Sequence, residues 1–296
     1  MKAGFVALVG RPNAGKSTLL NRLVGQKVAI VSDKPQTTRT RILGVRTSGR
    51  GQIVFIDTPG IHRPLHRLNV RMVDVAVQSI SQADVVCAVA DATEAVGGGD
   101  QYLASLLARG TAPTVLALNK IDRVSKPALL PLIEQWSRLA RFEDLVPVSA
   151  LTGENEEALV EALFRHLPEG EALYPDDYLT DQPERAYVAE IVREKVLRHT
   201  RDELPFTSAV LVDRFEEAGA RGLLRLFCTI LVERESQKPI VIGRGGAMIK
   251  RIGTEAREEL ERFFGAKVYL DLRVKTRAGW REDPRMLDEI GIRDDE

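Results

Sequence analysis

Over its first 167 residues the chain alternates short apolar runs with longer stretches in which apolar residues recur every three or four positions. The runs "FVALVG", "QIVFIDT", "VVCAVAD", "TVLALNK" and "LVPVSA" have strand length and few polar positions, as in strands buried on both faces. Strands alternating with segments of helical period predict an α/β domain, a mostly parallel sheet with helices on both faces, over residues 1–167. The stretch "LPEGEALYPDDYLTDQPER" then breaks the pattern with three prolines and a surplus of acids, which predicts an interdomain linker over residues 168–183.

From residue 184 to 296 the order changes. A helix pattern ("AYVAEIVREKVLRHTRDE") precedes two strand-like runs ("FTSAVLVDRFEE", "LLRLFCTILVERES"), followed by the glycine-rich "KPIVIGRGGAMIKRIG" with its helix and a strand ("AKVYLDLRVK"). This predicts a small α+β domain. The run "IVI" reads as an apolar strand leading into the glycines.

Composition narrows the picture. With 296 residues the chain is long enough for two domains, each with its own core. Lys plus Arg and Asp plus Glu both count 42, so the net charge is zero and any nucleic-acid site must be a local patch. Residues 184–281 hold 20 basic and 15 acidic side chains, whereas 282–296 hold two and seven, so neutrality conceals a mildly basic module with an acidic tail. Cys87 and Cys228 sit far apart in apolar runs and read as reduced core thiols, which excludes a disulfide scaffold. No apolar stretch approaches the ~18 to 20 residues of a membrane span, and the first residues carry no signal-peptide pattern. The expectation is a cytoplasmic protein.

Candidate chemistry lies at the ends of the predicted strands. In "GRPNAGKS" (Gly10, Arg11, Pro12, Asn13, Ala14, Gly15, Lys16, Ser17), followed by Thr18, the spacing G-x-x-x-x-G-K-S lets backbone N–H groups converge on phosphates at a helix N-terminus. Lys16 is expected to bridge the terminal phosphates, and Ser17 to offer its hydroxyl to Mg²⁺. In "DTPG" (Asp57, Thr58, Pro59, Gly60), Asp57 can hold Mg²⁺ through water and the Gly60 N–H can meet a γ-phosphate. "NKID" selects the base. Asp122 can accept from N1–H and the exocyclic amine of guanine, a donor pair adenine lacks, while Asn119 and Lys120 brace the loop and cover the ring. The backbone of Ser149, Ala150 and Leu151 in "SAL" completes the base site near the guanine O6. The expected ligands are GTP and GDP, at the strand ends where open α/β sheets bind ligands.

Five motifs, "GRPNAGKS", "TTR", "DTPG", "NKID" and "SAL", in this order resemble the translation-factor-related class of P-loop GTPases, and "PQTTR" with the second domain resembles the Era family within it. The resemblance covers nearly the whole chain. It implies a Mg²⁺-dependent GTPase acting on the small ribosomal subunit, binding the 3′ end of small-subunit ribosomal RNA during maturation. It also implies a peripheral membrane contact, which no segment here supports.

The hydrolytic residues are less plain. Ras-like enzymes place a water-orienting glutamine after the Asp-x-x-Gly glycine, but here that position is Ile61, whose alkyl chain can neither donate nor accept. Asn13 is the candidate substitute: in relatives an asparagine here helps hold K⁺, whose charge stabilises the transition state; the competing reading is a residue that tolerates a tight turn. Thr38 is the candidate Mg²⁺-sensing threonine, with Thr37 the alternative. The candidate catalytic set is thus Asn13, Lys16, Thr38 and Gly60, and the metal set Ser17, Thr38 and Asp57. Arg39, Arg41 and His62 are weaker candidates in the same loops, with solvated loop residues as the plainer reading.

In the second domain, Gly243, Arg244, Gly245 and Gly246 form a Gly-x-x-Gly loop that lets backbone approach nucleic-acid phosphates, with Lys250 and Arg251 on the following helix. This resembles a type II KH domain, although Gly245 stands where a lysine or polar residue is common. Trp280 is either a base-stacking residue or a core cap. An alternative function, a metabolic nucleotide hydrolase or kinase with a small-substrate domain, requires an acceptor pocket with a catalytic base, for which no motif is found.

Overall fold

The computed structural model describes residues 1–34, 36–62, 66–217 and 222–292. The chain divides into two compact units, residues 1–65 with 69–181, and residues 66–68 with 182–296.

The first unit carries six strands, β1 (Lys2–Gly10), β2 (Ile42–Ser48), β3 (Gly51–Asp57), β4 (Val85–Asp91), β5 (Thr114–Asn119) and β6 (Asp144–Pro147), with helices α1 (Lys16–Val24), α2 (Arg67–Gln82), α3 (Gly98–Leu107), α4 (Lys126–Leu139) and α5 (Glu156–His166). The sheet order is β2-β3-β1-β4-β5-β6, parallel except for β2, which runs antiparallel to β3. The apolar runs now have a reason. Val6 and Leu8 of β1, Cys87 and Val89 of β4, and Val115 and Ala117 of β5 pack with Leu19, Leu20 and Leu23 of α1 and Leu159 and Leu163 of α5. Their neighbours Ala7, Val9, Ala88, Leu116 and Leu118 point the other way, onto Ala76 of α2, Leu103 and Leu107 of α3 and Trp136 of α4. Both sheet faces are covered, so every position of these strands needs an apolar residue. Strand β2 escaped the sequence reading because "ILGVRTS" is half polar, as suits an edge strand.

The segment expected as a linker is bonded along that edge. Val45 N–H donates to Leu179 O at 2.9 Å, and the Gln52 side chain accepts from Leu173 and Tyr174 N–H and donates to Tyr174 O. Tyr174 and Tyr178 stack at 4.7 Å and pack on Leu43, Val45 and Val54. Prolines and acids mark the surface of this strap, while its two tyrosines, invisible to a composition argument, tie it down.

The second unit holds β7 (Ala209–Glu216), β8 (Leu223–Val232) and β9 (Lys267–Thr276) in the order β7-β8-β9, with β7 antiparallel and β9 parallel to β8. Helices α6 (Glu184–His199) and α9 (Ala247–Phe264) cover one face, and α7 (Leu204–Thr207), α8 (Lys238–Ile242) and α10 (Pro284–Glu289) are short. Ile252, Ala256 and Leu260 recur at i, i+4 and i+8 as the buried stripe of α9. One expectation is corrected: residues 238–242, with "IVI", form the helix α8. Pro239 falls at its first turn, where a missing N–H costs nothing, and a five-residue helix is too short for periodicity to distinguish from a strand. Trp280 is fully buried and donates from Nε1 to Thr207 O at 3.0 Å, so it caps the core. Cys87 and Cys228 are free, buried thiols whose ionisation burial pushes up to about 12.

Candidate nucleotide and RNA sites

The nucleotide motifs converge because their strands are parallel and end together: Leu8 pairs with Asp57, Gly10 with Val89, and Asp91 with Asn119. Beyond these ends lies a cleft of about 520 Å³, lined among others by Asn13, Lys16, Thr18, Thr38, Gly60 and Asp122. It sits beside β1, where the strand order reverses.

The loop that begins the cleft is shaped by close approach. A Cβ at Gly10 would meet Val89 O at 2.2 Å, one at Gly60 would meet Pro12 Cα at 2.7 Å, and Gly15, at φ 94°, would drive one into Asn119 Nδ2 at 2.3 Å. Lys16 closes the loop from within, its Nζ donating to Gly10 O at 3.2 Å and Arg11 O at 3.0 Å. Burial pushes its pKa down to about 8, against the pull of the Asp57 carboxylate. A phosphate set against this ammonium offsets that desolvation.

Ser17, Thr38 and Asp57 form one cluster. The Ser17 hydroxyl donates to Asp57 Oδ2 at 2.7 Å, Thr38 Oγ1 donates to the same oxygen at 3.1 Å, and the two hydroxyls lie 2.8 Å apart. Asp57 Oδ1 is buried without a hydrogen-bond partner. Burial pushes the Asp57 carboxyl up, opposed by Lys16 and the two hydroxyls. Three hard oxygen groups around an unsatisfied carboxylate oxygen fit a small divalent cation. The choice between adjacent threonines falls on Thr38, since Thr37 Oγ1 turns back to Lys34 O at 2.6 Å.

At the base end, Asn119 is a brace: its Nδ2 donates to Ala14 O and its Oδ1 accepts from Ala150 N–H, both at 2.9 Å, so one buried amide ties the phosphate loop to the "SAL" loop. Ser149 Oγ donates to Asp122 Oδ1 at 2.6 Å, and this fixes the carboxylate at the cleft. Ala150 and Leu151 line the cleft themselves.

Other sequence candidates fall outside it. Thr58 is buried with its hydroxyl on Leu8 O, and Arg11 turns to Glu94 and Asp100 at 2.9 and 3.2 Å. Gly10, Ala14, Pro59 and Ser149 shape the loops without lining the cleft. Ile61 belongs to the core, so the position of the Ras-like glutamine is turned away from phosphate. Arg39 is buried and Arg41 lines a separate cavity with Phe5 and Tyr174; neither is among the residues lining the nucleotide cleft. His62 Nδ1 lies 2.8 Å from Gly60 O, beside an adjoining cavity that also touches Asn13. Asn13 itself sits at φ 63°, and its Nδ2 donates to Asp33 O at 2.9 Å, so it both makes the tight turn and reaches the loop that carries Thr38.

Sequence reasoning missed Asp91, Arg22 and Asn21. Asp91 ends β4, pairs with Lys120 Nζ and accepts from Thr93; burial raises its pKa, and these bonds overcome that to hold it below its ordinary value. Its signal was available: an acid ending an apolar run, as Asp57 does. Arg22 donates to Leu151 O at 2.6 Å and Ala150 O at 3.3 Å, and Asn21 is bonded to Val28 and Ala29. Both sit on α1 and read as ordinary helix-surface residues.

In the second unit the loop "GRGG" joins α8 to α9. Gly243, Gly245 and Gly246 all have positive φ, and a Cβ at Gly243 would meet Met248 N at 2.7 Å. The φ of 59° at Gly245 accounts for glycine where a polar residue is common. Arg244, Gly245, Lys250 and Arg251 are exposed, and Arg251 pairs with Glu255 at 3.2 Å.

A phosphate loop on a doubly covered parallel sheet, with the Asp122 carboxylate held at the same cleft, and a βαα-type Gly-x-x-Gly unit define a P-loop GTPase carrying a KH domain. Models of the families "50S ribosome-binding GTPase" and "KH domain" match residues 5–120 and 208–281. The chain is 50% identical over 290 residues to GTPase Era of Geobacter metallireducens, covering 98% of this chain and 97% of the relative, and 48% identical to GTPase Era of Syntrophus aciditrophicus, covering 98% and 95%. It therefore belongs to the Era family of GTPases. Among solved structures it is similar to Era in complex with MgGDPNP and nucleotides 1506–1542 of 16S ribosomal RNA, at 42% identity and a TM-score of 0.96 over 99% of both chains. A tyrosine-to-alanine variant of Aquifex aeolicus Era bound to GDP and AlF4− superposes at a TM-score of 0.95 with 42% identity, over 99% of this chain and 100% of that one.

Proposed function

We propose that this chain binds and hydrolyses GTP and couples its nucleotide state to binding of the 3′ end of small-subunit ribosomal RNA during assembly of the small ribosomal subunit. The observation that carries the reading is the pairing of Asp122, oriented by Ser149 toward the cleft, with the Ser17–Thr38–Asp57 cluster at the other end of the same cleft. The first selects guanine and the second senses the phosphates and their cation. The similarity to Era bound to MgGDPNP and 16S ribosomal RNA supports Mg²⁺ as that cation and ribosomal RNA as the partner of the KH unit. Mg²⁺, when bound, neutralises charge on the terminal phosphates. Ser17 and Thr38 would hold it, with Asp57 behind them. Lys16 brings its ammonium to the same phosphates, Gly60 leaves room for backbone at the γ-phosphate, and Thr38 ties its own segment, residues 36–39, to the cluster. The metabolic alternative has no support, since the second unit matches a KH domain.

We place the protein at the ribosome in the cytoplasm. No helix of the described residues is long and apolar enough to cross a membrane, and a peripheral membrane contact rests on the resemblance alone. The function is tested by measuring GTP turnover with and without a 16S 3′-terminal RNA fragment, and with small metabolites in its place. Turnover that responds to the RNA and not to metabolites is expected; the reverse would restore the metabolic reading.

Asn13 is the residue we assign to a monovalent cation. Its side chain lies at the phosphate end of the cleft beside the Asp33 carbonyl, and Ile61 leaves the glutamine position without a polar group. K⁺ there supplies positive charge to the terminal phosphates. Turnover in K⁺ is expected to exceed that in Na⁺ at equal ionic strength by about tenfold, one good charge contact in the transition state. Asn13→Ala should erase the difference, and equal rates in both salts would remove Asn13 from the mechanism.

A further inference from the structure

Helices α6 and α9 cover one face of the second unit's sheet; on the other, Thr229 and Leu231 of β8 are buried, while the side formed by β9 and the start of β8 is open. Gly253 of α9 lies against Leu272, a Cβ there meeting its Cδ1 at 3.4 Å, so the even positions of β9 face the helices. The odd positions, Lys267, Tyr269, Asp271, Arg273 and Lys275, and their neighbours Arg225 and Phe227 on β8, form the opposite face and are exposed or half-buried. The strand register sets Arg225 directly opposite Tyr269. Phe227 and Tyr269 have ring centroids 5.9 Å apart; the Arg214 guanidinium lies 5.2 Å over Phe227 and that of Arg225 lies 6.0 Å over Tyr269. Tyr269 is 47% exposed, unusual for an aromatic residue in a sheet with a core to join.

The charges on this face are not self-compensated. Glu216 is taken by Arg214 at 2.5 Å, Asp271 by Arg273 at 3.1 Å, and Asp213 accepts from Thr229. Arg225, Lys267 and Lys275 form no ion pair among the described residues. Three cations outside any ion pair, of which Lys267 also feels the Glu261 carboxylate, surround an aromatic pair interleaved with guanidinium planes and match the two parts of single-stranded RNA, phosphates and base faces. An acidic peptide would use the cations but leave the planar rings without flat partners.

We propose that the open part of this face, along β9 and the start of β8, is a second single-stranded RNA surface, with a base stacked on Tyr269 and phosphates at Arg225, Lys267 and Lys275. The proposal rests on the RNA-binding reading above, and it is separate from the "GRGG" loop, because α9, which follows that loop, packs on the other side of the sheet. RNA that engages both surfaces must pass around the unit, so a short oligonucleotide cannot fill both.

The test uses the full chain with Arg225→Gln and Tyr269→Ser together, and the protein-free 16S 3′-terminal fragment carrying 4-thiouridine. Affinity is expected to fall about tenfold, with a shallower salt dependence, for the loss of one stacked base and one phosphate contact. The thermal midpoint and GTP affinity should be unchanged, and crosslinks to β9 should appear in the unmodified protein and vanish in the variant. If the double variant is misfolded, Lys267→Gln with Lys275→Gln, both exposed, gives the same reading through the salt slope alone. Unchanged affinity and no crosslink to β9, with RNA binding still lost on altering Arg244 and Gly245, would overturn the second surface and leave the KH reading intact. Indifference to both pairs of changes would overturn both readings. A variant that binds free RNA normally but fails to bind small subunits would make the face a protein contact and also overturn the proposal.

Discussion

Asp122→Asn is expected to lower GTP affinity at least about a hundredfold and to give the protein affinity for xanthine nucleotide, because two charge-assisted hydrogen bonds to guanine are lost together, each worth about 1.5–3 kcal/mol. The geometry makes the exchange clean. Ser149 Oγ donates to Asp122 Oδ1, and an asparagine carbonyl accepts that bond equally, so the new NH2 is turned to the cleft. There it meets the C2 oxygen of xanthine and opposes the amine of guanine. Asn119 and Ser149 are untouched, so the loop stays tied to Ala14 and Ala150 and the fold is not at stake. Titration with fluorescent guanine, xanthine and adenine nucleotides checks the result. Equal affinity of the unmodified protein for ATP and GTP would sink the assignment of Asp122 as the base reader.

Arg244→Asp with Gly245→Asp is expected to lower RNA affinity roughly a hundredfold at physiological salt, with a shallower dependence on salt concentration because fewer counterions are released. One substitution reverses a charge where phosphates approach, and the other adds both a carboxylate and a Cβ to exposed backbone. Nothing lies within 4 Å of a Cβ at Gly245, and aspartate tolerates its φ of 59° better than most side chains, so the loop should survive. Gly243, whose Cβ would strike Met248, is left alone. GTP affinity should be unchanged, since the phosphate loop belongs to a separate core. Filter binding of RNA and nucleotide fluorescence on the same preparation decide the matter. Unchanged RNA binding would mean that the unit uses another surface.

The nucleotide site was legible in the sequence because it is built from strand ends and backbone. Glycines at 10, 15 and 60 are demanded by atoms that would otherwise overlap, Lys16 and Ser17 open the helix that follows β1, and Asp57 ends the parallel strand β3. Such requirements are local, so their spacing records them. The same holds for the strands buried on both faces, whose apolar runs need no partner to be recognised. Edge strand β2 and helix α8 were not legible, the one being half polar and the other too short to show a period.

Legible in the residues alone was a class of chemistry: a phosphate loop, an aspartate proposed to read guanine, a hydroxyl and carboxylate proposed to hold a metal, and a Gly-x-x-Gly loop, each a short motif whose residue types suit the group it would meet. The distinction between Thr37 and Thr38 came from the fold, since adjacent residues differ by which way the backbone points them: Thr37 turns to Lys34 while Thr38 joins Asp57, which favours Thr38 for the proposed metal. Tertiary structure alone buried Arg39, placed Ile61 in the core and brought Arg22 to the "SAL" loop 128 residues away. It alone bonded Leu179 to β2 and Leu173 and Tyr174 to Gln52 of β3, and set Arg225 over Tyr269. These are long-range placements, fixed by which surfaces pack together when the chain closes, and no local run of residues carries a record of its distant partner.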